Sequence, residues 1–308
     1  MDTSEAIKRR LDTADDLRSI VRTMKALAVV SIRQYEEAGA SLAEYARSTE
    51  LGLQALLRER PSALLTLRRT PARRPGTIVV GSDQGLCGAF NEQVATYALD
   101  LRAQDSPPHE APLLVVGARA AGRLEDGGLV LDDVLTLPAS AALIAAHVQD
   151  LLAHIDAWRA SGAVDGVRVC FNRTLEGGAC RPHHETLLPL DVKALRVLAE
   201  APWRPRAAPM IAGDWDRLFS AVVRQHLFVR LHRALAESLA AENASRLAAM
   251  HAAERNIDER LAGLKAQFHR QRQTAITTEL LDIVSGYEAL TIDEPRRRTG
   301  HAPGPRVD

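Results

Sequence analysis

Aromatic residues are scarce in this 308-residue chain: five Phe, four Tyr and three Trp, about 4% of the whole. Lysine is scarcer still against the arginines, occurring only as Lys8, Lys25, Lys193 and Lys265. With few aromatics and abundant Ala, Leu, Glu and Arg, the composition favours long helices over a dense globular core. Acidic and basic residues balance at 39 each. A net charge of zero argues against bulk electrostatic binding of nucleic acid or of an anionic membrane. Three cysteines, Cys87, Cys170 and Cys180, make no disulfide framework and suit a reducing compartment. The polar start MDTSEAIKRR does not read as a secretory leader. No run approaches the ~18 apolar residues of a membrane span.

Proline is absent from 1–60 and from 214–290. In the first of these regions Ile7, Leu11, Ala14, Leu17, Val21, Met24 and Ala28 recur in steps of three and four. That spacing draws one apolar stripe along a long helix, with Gly39 and Gly52 as mild weak points. The second region opens on Asp214, a candidate N-cap. It carries Leu227, Leu231, Leu235, Leu239, Leu247, Met250, Ile257, Leu261, Leu264, Phe268, Ile276, Leu280 and Ile283. A periodic stretch this long predicts a coiled coil, a helical repeat or a span, and its charge excludes the span.

Residues 77–200 differ. TIVVGS, APLLVVGA and VDGVRVCFN are β-prone, and NEQVATYALDLRAQ and ASAALIAAHVQDLLAHIDAWRAS between them are helical. The alternation predicts an α/β domain with a mainly parallel sheet. VRVCFNRT, a turn at LEGGA and CRPHHETLLPL read as a hairpin at its edge. The expected fold is α/β: a long antiparallel coiled coil of N- and C-terminal helices (1–60 and 210–290) with an inserted Rossmann-like α/β domain (77–200). A disordered tail rich in Arg, Gly and Pro follows at 291–308. The C-terminal helix is the longer, so part of its stripe needs a surface from another chain.

The stretch SDQGLCGAFN (82–91) sits between a strand and a helix, where phosphates are often held. A Walker loop needs Gly-x4-Gly-Lys-Ser/Thr; here Gly81, Gly85 and Gly88 have the wrong spacing and no lysine follows. The dinucleotide pattern Gly-x-Gly-x-x-Gly is missing too. The simpler reading is a turn built on Gly85, Cys87 and Gly88 with Asn91 as N-cap. Cys87 near a helix start has the setting of a reactive thiol, but a cysteine nucleophile needs a histidine close by. Cys170, Cys180, His183 and His184 do not follow zinc-finger spacing. Cys170 and Cys180 are placed to face each other across the hairpin, which would allow a disulfide under oxidation. The basic residues of the first helix form a solvated face or a strip for an acidic partner. No catalytic, cofactor-binding or metal-binding set emerges.

Three separated segments carry a resemblance. IVRTMKALAVVSIRQ (20–34) is similar to the Thr-Lys-Ala-Met-x-Met-Val-Ala stretch of the gamma subunits of F-type ATP synthases. SDQGLCGAFN is close to that family's Ser-Asp-x-Gly-Leu-Cys-Gly-x-Phe-Asn. The segment 245–290 resembles its Arg-Met-x-Ala-Met-x-x-Ala start and Arg-Gln-x-x-Ile-Thr-x-Glu-Leu-x-Glu-Ile end. The resemblance implies a rotor: a coiled-coil shaft inside a ring of three alpha and three beta subunits, and a globular part bound to epsilon and to the ring of c subunits. It implies no cofactor, and a peripheral place on the cytoplasmic face of a bacterial inner membrane without direct insertion. Matched by motif, Met24 and Lys25 face the beta subunits, and Arg246 opens the third segment. Arg272, Gln273, Thr277 and Glu279 form its end, where polar side chains catch the surrounding ring. The sequence departs from the family at DDLRSIVRT, at Tyr287 and in its longer tail, which suggests a divergent lineage. The readings from other classes are a coiled-coil scaffold without rotation and an enzyme using SDQGLCG as its site.

Overall fold

In a computed structural model the described residues are 4–66, 72–105, 107, 110–175, 179–203, 207 and 210–292. They form eight α-helices, a short 3-10 turn at Ala141–Leu143 and five strands. α1 (Ser4–Ser41), α2 (Ala43–Glu59) and α3 (Ala63–Thr66) precede β1 (Pro75–Val80). There follow α4 (Phe90–Ala103), β2 (Leu113–Val116), α5 (Ala118–Asp126) and β3 (Asp133–Leu135). Then come α6 (Ile144–Ala160), β4 (Gly166–Thr174), β5 (Cys180–Leu188), α7 (Val192–Glu200) and α8 (Trp215–Ile292). The chain divides into two compact units, Val21–Ala253 and the described residues on either side of it.

The first long helix is not continuous to residue 60. It stops at Ser41, whose hydroxyl donates to the Ala38 carbonyl, and restarts when the Ala46 N–H takes the Leu42 carbonyl. A serine that bonds a helix carbonyl in place of the backbone weakens the next turn. Gly52, by contrast, lies inside α2. α8 begins where Asp214 caps it: the carboxylate accepts from the Arg217 N–H at 3.0 Å. It runs without interruption through Thr291 and Ile292, so the first two positions assigned to the tail are helical. The rest of the tail, 293–308, lies outside the described residues.

Within Val21–Ala253 the sheet order is β3-β2-β1-β4-β5. β1, β2, β3 and β4 are parallel, and β5 returns antiparallel to β4 at the edge. β1, β2 and most of β4 are buried, as parallel strands covered on both faces must be. On one face α4 and α5 pack Val94, Ala98, Ala120 and Leu124 against Val79 and Val115. On the other, α6 and α8 pack Val148, Leu152, Leu231 and Leu235 against Ile78, Val80, Val169 and Phe171. Each such leucine contributes on the order of 2 kcal/mol by leaving water. A third cluster ties α2, α3 and α7 to the start of α8 through Leu53, Leu57, Leu64, Leu195 and Phe219. α1 lies along α8, with Gly39 close to Ala236 and Tyr35 and Ala38 on the main core.

In the other unit, residues 4–20 of α1 run beside α8 from Glu254 onward. Ile7 is fully buried, Arg18 pairs with Asp258 at 2.7 Å, and Arg9, Ala14, Leu17, Ile257 and Leu264 border a shallow groove.

Candidate functional site

The order of the sheet reverses between β1 and β4, and doubly wound sheets bind ligands outside that point. SDQGLCGAFN leaves β1 there. Its first residues are locked by close approach: a Cβ on Gly81 would lie 2.1 Å from the Ala120 Cβ. Gly117 has φ +112° and presses on the Ser82 backbone. Asp83 accepts from the Ala118 N–H at 3.0 Å and the Leu137 N–H at 2.8 Å, so its carboxylate joins the loops after β1, β2 and β3.

The helix after the turn starts at Phe90, with Ala89 as N-cap. Asn91 is therefore not the cap. It turns back into the loop, where Oδ1 accepts from the Ser82 N–H at 2.9 Å and Nδ2 donates to the Ser82 hydroxyl at 2.7 Å. The cap was misplaced because the three bonds Asn91 makes back to Ser82 and Cys87, nine and four residues away, compete with capping. Gly88 has φ +60°, as does the non-glycine Leu86 at 63°. Gly85 has no atom within 4 Å of where a Cβ would be.

Cys87 is 2% exposed and packs with Phe90 and Ala241. Its sulfur lies near the Ser82 hydroxyl, the Gln84 carbonyl and Asn91. The histidines of β5 turn elsewhere: His184 bonds the Tyr97 hydroxyl at 2.7 Å, and His183 stands edge-on to Phe171. Cys170 and Cys180 do not oppose each other. Cys170 is opposite His184, and Cys180 opposite Thr174. Burial pushes the Cys170 thiol up to about 12, which leaves it unreactive at neutral pH. The space outside β1 and β4 is taken by α8: the Ser245 hydroxyl donates to the Cys87 carbonyl at 2.6 Å, and the Cys180 thiol to the Ala241 carbonyl at 3.1 Å.

Several polar groups buried under the sheet pair with one another. Arg168 holds Asp105 with two bonds of 2.9 and 2.6 Å and also reaches Thr77. Arg102, fully buried, donates to the Ala111 carbonyl at 2.6 Å. Such bidentate pairs orient the surrounding elements more than they stabilise them. Among the described residues no group of three His, Cys, Asp or Glu is placed to hold a metal, and no helix is long and apolar enough to cross a membrane.

The remaining named residues lie on the two long helices. Met24 and Lys25 are half-buried on α1. Arg246 is turned inward, 11% exposed, its guanidinium donating to Glu242 at 2.6 Å and to Asn243. Burial raises the Glu242 pKa, the Arg246 charge opposing it. Arg272, Gln273, Thr277 and Glu279 belong to the other unit. Every residue from Arg272 to Glu288 is exposed. Ile276, Leu280, Leu281, Ile283, Val284 and Tyr287 lie in this span, Leu280 at 58% and Tyr287 at 70% exposure. On α1, Leu17, Ile20, Leu27 and Val30 are likewise exposed. Apolar exposure on this scale marks an interaction surface. Sequence reasoning did not single out Asp83, Asn91 as a loop anchor or Ser245; the short polar cluster after a strand was the available signal.

A family model described as ATP synthase matches residues 3–290. The ATP synthase gamma chain of Synechococcus sp. (strain PCC 6716) is 28% identical, over 94% of this chain and all of that one. That of Desulfitobacterium hafniense (strain DSM 10664 / DCB-2) is 25% identical over the same shares. Among solved structures, the rotor of Euglena gracilis mitochondrial ATP synthase in rotational state 1 superposes with a TM-score of 0.64 at 13% identity, covering 89% of this chain and 98% of that one. A chain of the OSCP/F1/c-ring assembly from the same organism, in rotational state 3, gives 0.68 at 14% identity, covering 97% and 99%. At these identities the structures speak for the fold. The family model and the full-length relatives speak for descent, and the chain belongs to the ATP synthase gamma-chain family.

Proposed function

We infer that this chain is the central rotor shaft of an F-type ATP synthase or ATPase, coupling rotation of a c-subunit ring to nucleotide-state changes in catalytic beta subunits. The observation that carries the reading is the run Arg272–Glu288, exposed at every residue, with its six large apolar side chains. A helix end of that kind gains its stability only inside another protein. Membership of the gamma-chain family supplies that protein: a ring of three alpha and three beta subunits. The asymmetric shaft contacts the beta subunits differently, so each takes a different nucleotide affinity, and turning the shaft interchanges them.

In this reading the chain has no catalysis of its own, and the α/β insert binds epsilon and the c ring. The assembly lies peripherally on the cytoplasmic face of a bacterial inner membrane. Met24, Lys25, Arg272, Gln273, Thr277 and Glu279 meet the stator ring. Arg246 contributes from within the shaft, because its charge is already engaged by Glu242.

Reconstitution with the alpha and beta subunits encoded beside it tests the role. The expected product holds one copy per three alpha-beta pairs and hydrolyses ATP, while this chain alone hydrolyses none. Failure to form that complex with folded partners would leave a coiled-coil scaffold as the surviving reading.

A further inference from the structure

α8 is held to the α/β domain in two ways. Leu231, Leu235 and Leu239 sit in the apolar core. Apolar burial is non-directional in itself, and there the packing of side chains sets the position of the helix. The second way is polar and directional. Arg230 donates to Glu185 of β5 at 2.6 Å. Glu237 accepts from Arg173 of β4 at 2.6 Å. The Ala241 carbonyl accepts from the Cys180 thiol, and the Ser245 hydroxyl donates to the Cys87 carbonyl. These four positions are separated by seven, four and four residues, which puts them on one face of the helix. Both ion pairs are partly buried, Arg230 and Glu185 at 22% and 27% exposure. Charge-assisted bonds sheltered in this way hold a specific geometry.

We propose that the stripe Arg230, Glu237, Ala241 and Ser245 is a key that fixes the rotational position of α8 against the α/β domain, and that it bears the torque passing between them. This rests on the rotor reading. It makes Arg230, Glu185, Arg173, Glu237 and Ser245 positioning residues for coupling, none of them touching nucleotide.

The experiment uses the complete complex in inverted membrane vesicles, with ATP hydrolysis and ATP-driven ion uptake measured together. Uptake is followed with a proton-quenched dye and with radioactive sodium. The wild-type complex reports on the rotor reading: uptake tied to hydrolysis upholds it, and hydrolysis without this chain's incorporation refutes it. Arg230→Glu is expected to leave hydrolysis within about twofold and to cut ions moved per ATP about threefold, because like charges then face each other across the joint. Arg230→Glu combined with Glu185→Arg is expected to restore the ratio. An unchanged ratio in the single variant, or no recovery in the double, overturns the key while leaving the rotor intact. If Arg230→Glu does not assemble, Ser245→Ala decides by the same ratio, a fall supporting the proposal and an unchanged value overturning it.

Discussion

Glycine illustrates what a residue's neighbours add to its identity. Gly81, Gly85 and Gly88 look alike in GSDQGLCG, and in the sequence glycine's backbone freedom makes Gly85 and Gly88 turn residues. The constraint falls unequally. Gly81 lies against Ala120 and Asn91, whereas Gly85 faces open space. Gly81→Ala is therefore expected to destabilise the isolated chain by about 1–3 kcal/mol through overpacking, and Gly85→Ala by less than about 0.5 kcal/mol. Urea unfolding of the two variants side by side measures the difference. Asp214 was readable as a cap because capping is local: side chain and N–H stand three residues apart. Asn91 was not, because its partners are fixed by a loop that closes only when β1 and α4 are in place.

Elements were legible where one physical signal dominated. The apolar runs of β1, β2 and β4 and the alternation with α4 and α6 were plain, as was the edge hairpin. β3 was not: Asp133–Leu135 is three residues long and mostly exposed, below the length at which alternation can be counted. α5 and α7, nine residues each, also passed unseen, although Ala120, Ala121 and Leu124 on one and Val192 and Leu195 on the other form short apolar faces. The stripe on α8 was legible throughout, but periodicity cannot say which part of a stripe is covered. Its end is expected to behave accordingly. In the isolated chain, amides of 272–288 should exchange much faster than those of β1 and β4, and slow down when the alpha and beta subunits are added. Equal protection of that segment and the sheet in the free chain would remove the case for a missing partner.

For the molecule as a whole, balanced charge hides a directional response to acid. Burial lowers the pKa of His232, and of His183, His184 and His226 with help from neighbouring positive charge. His154 goes the other way: burial lowers it, but bonds to the Asp150 carbonyl and the Asp133 carboxylate outweigh that and raise it. His183, His184, His226 and His232 each bind a proton less readily in the folded chain than in the unfolded one, whereas His154 and the buried Glu242 bind theirs more readily. Each of these four histidines therefore contributes stability that is present above the ordinary histidine value of about 6.5 and is lost as pH falls below it through the lowered folded-state value. His232→Leu should flatten that loss. Unfolding midpoints collected across this window check it, and a profile unaltered by the substitution would assign the acid sensitivity to other groups.

The occupation of the switch-point crevice by α8 has a consequence for anyone recombining relatives of this chain. Residues 82–91 and 237–245 are distant in sequence but share one interface, through Cys87, Cys180, Ala241 and Ser245. A chimera that transplants only the central insert from a homologue at 28% identity inherits half of a fitted joint. The transferable module is discontinuous: the insert must travel with the segment of the last helix that it grips.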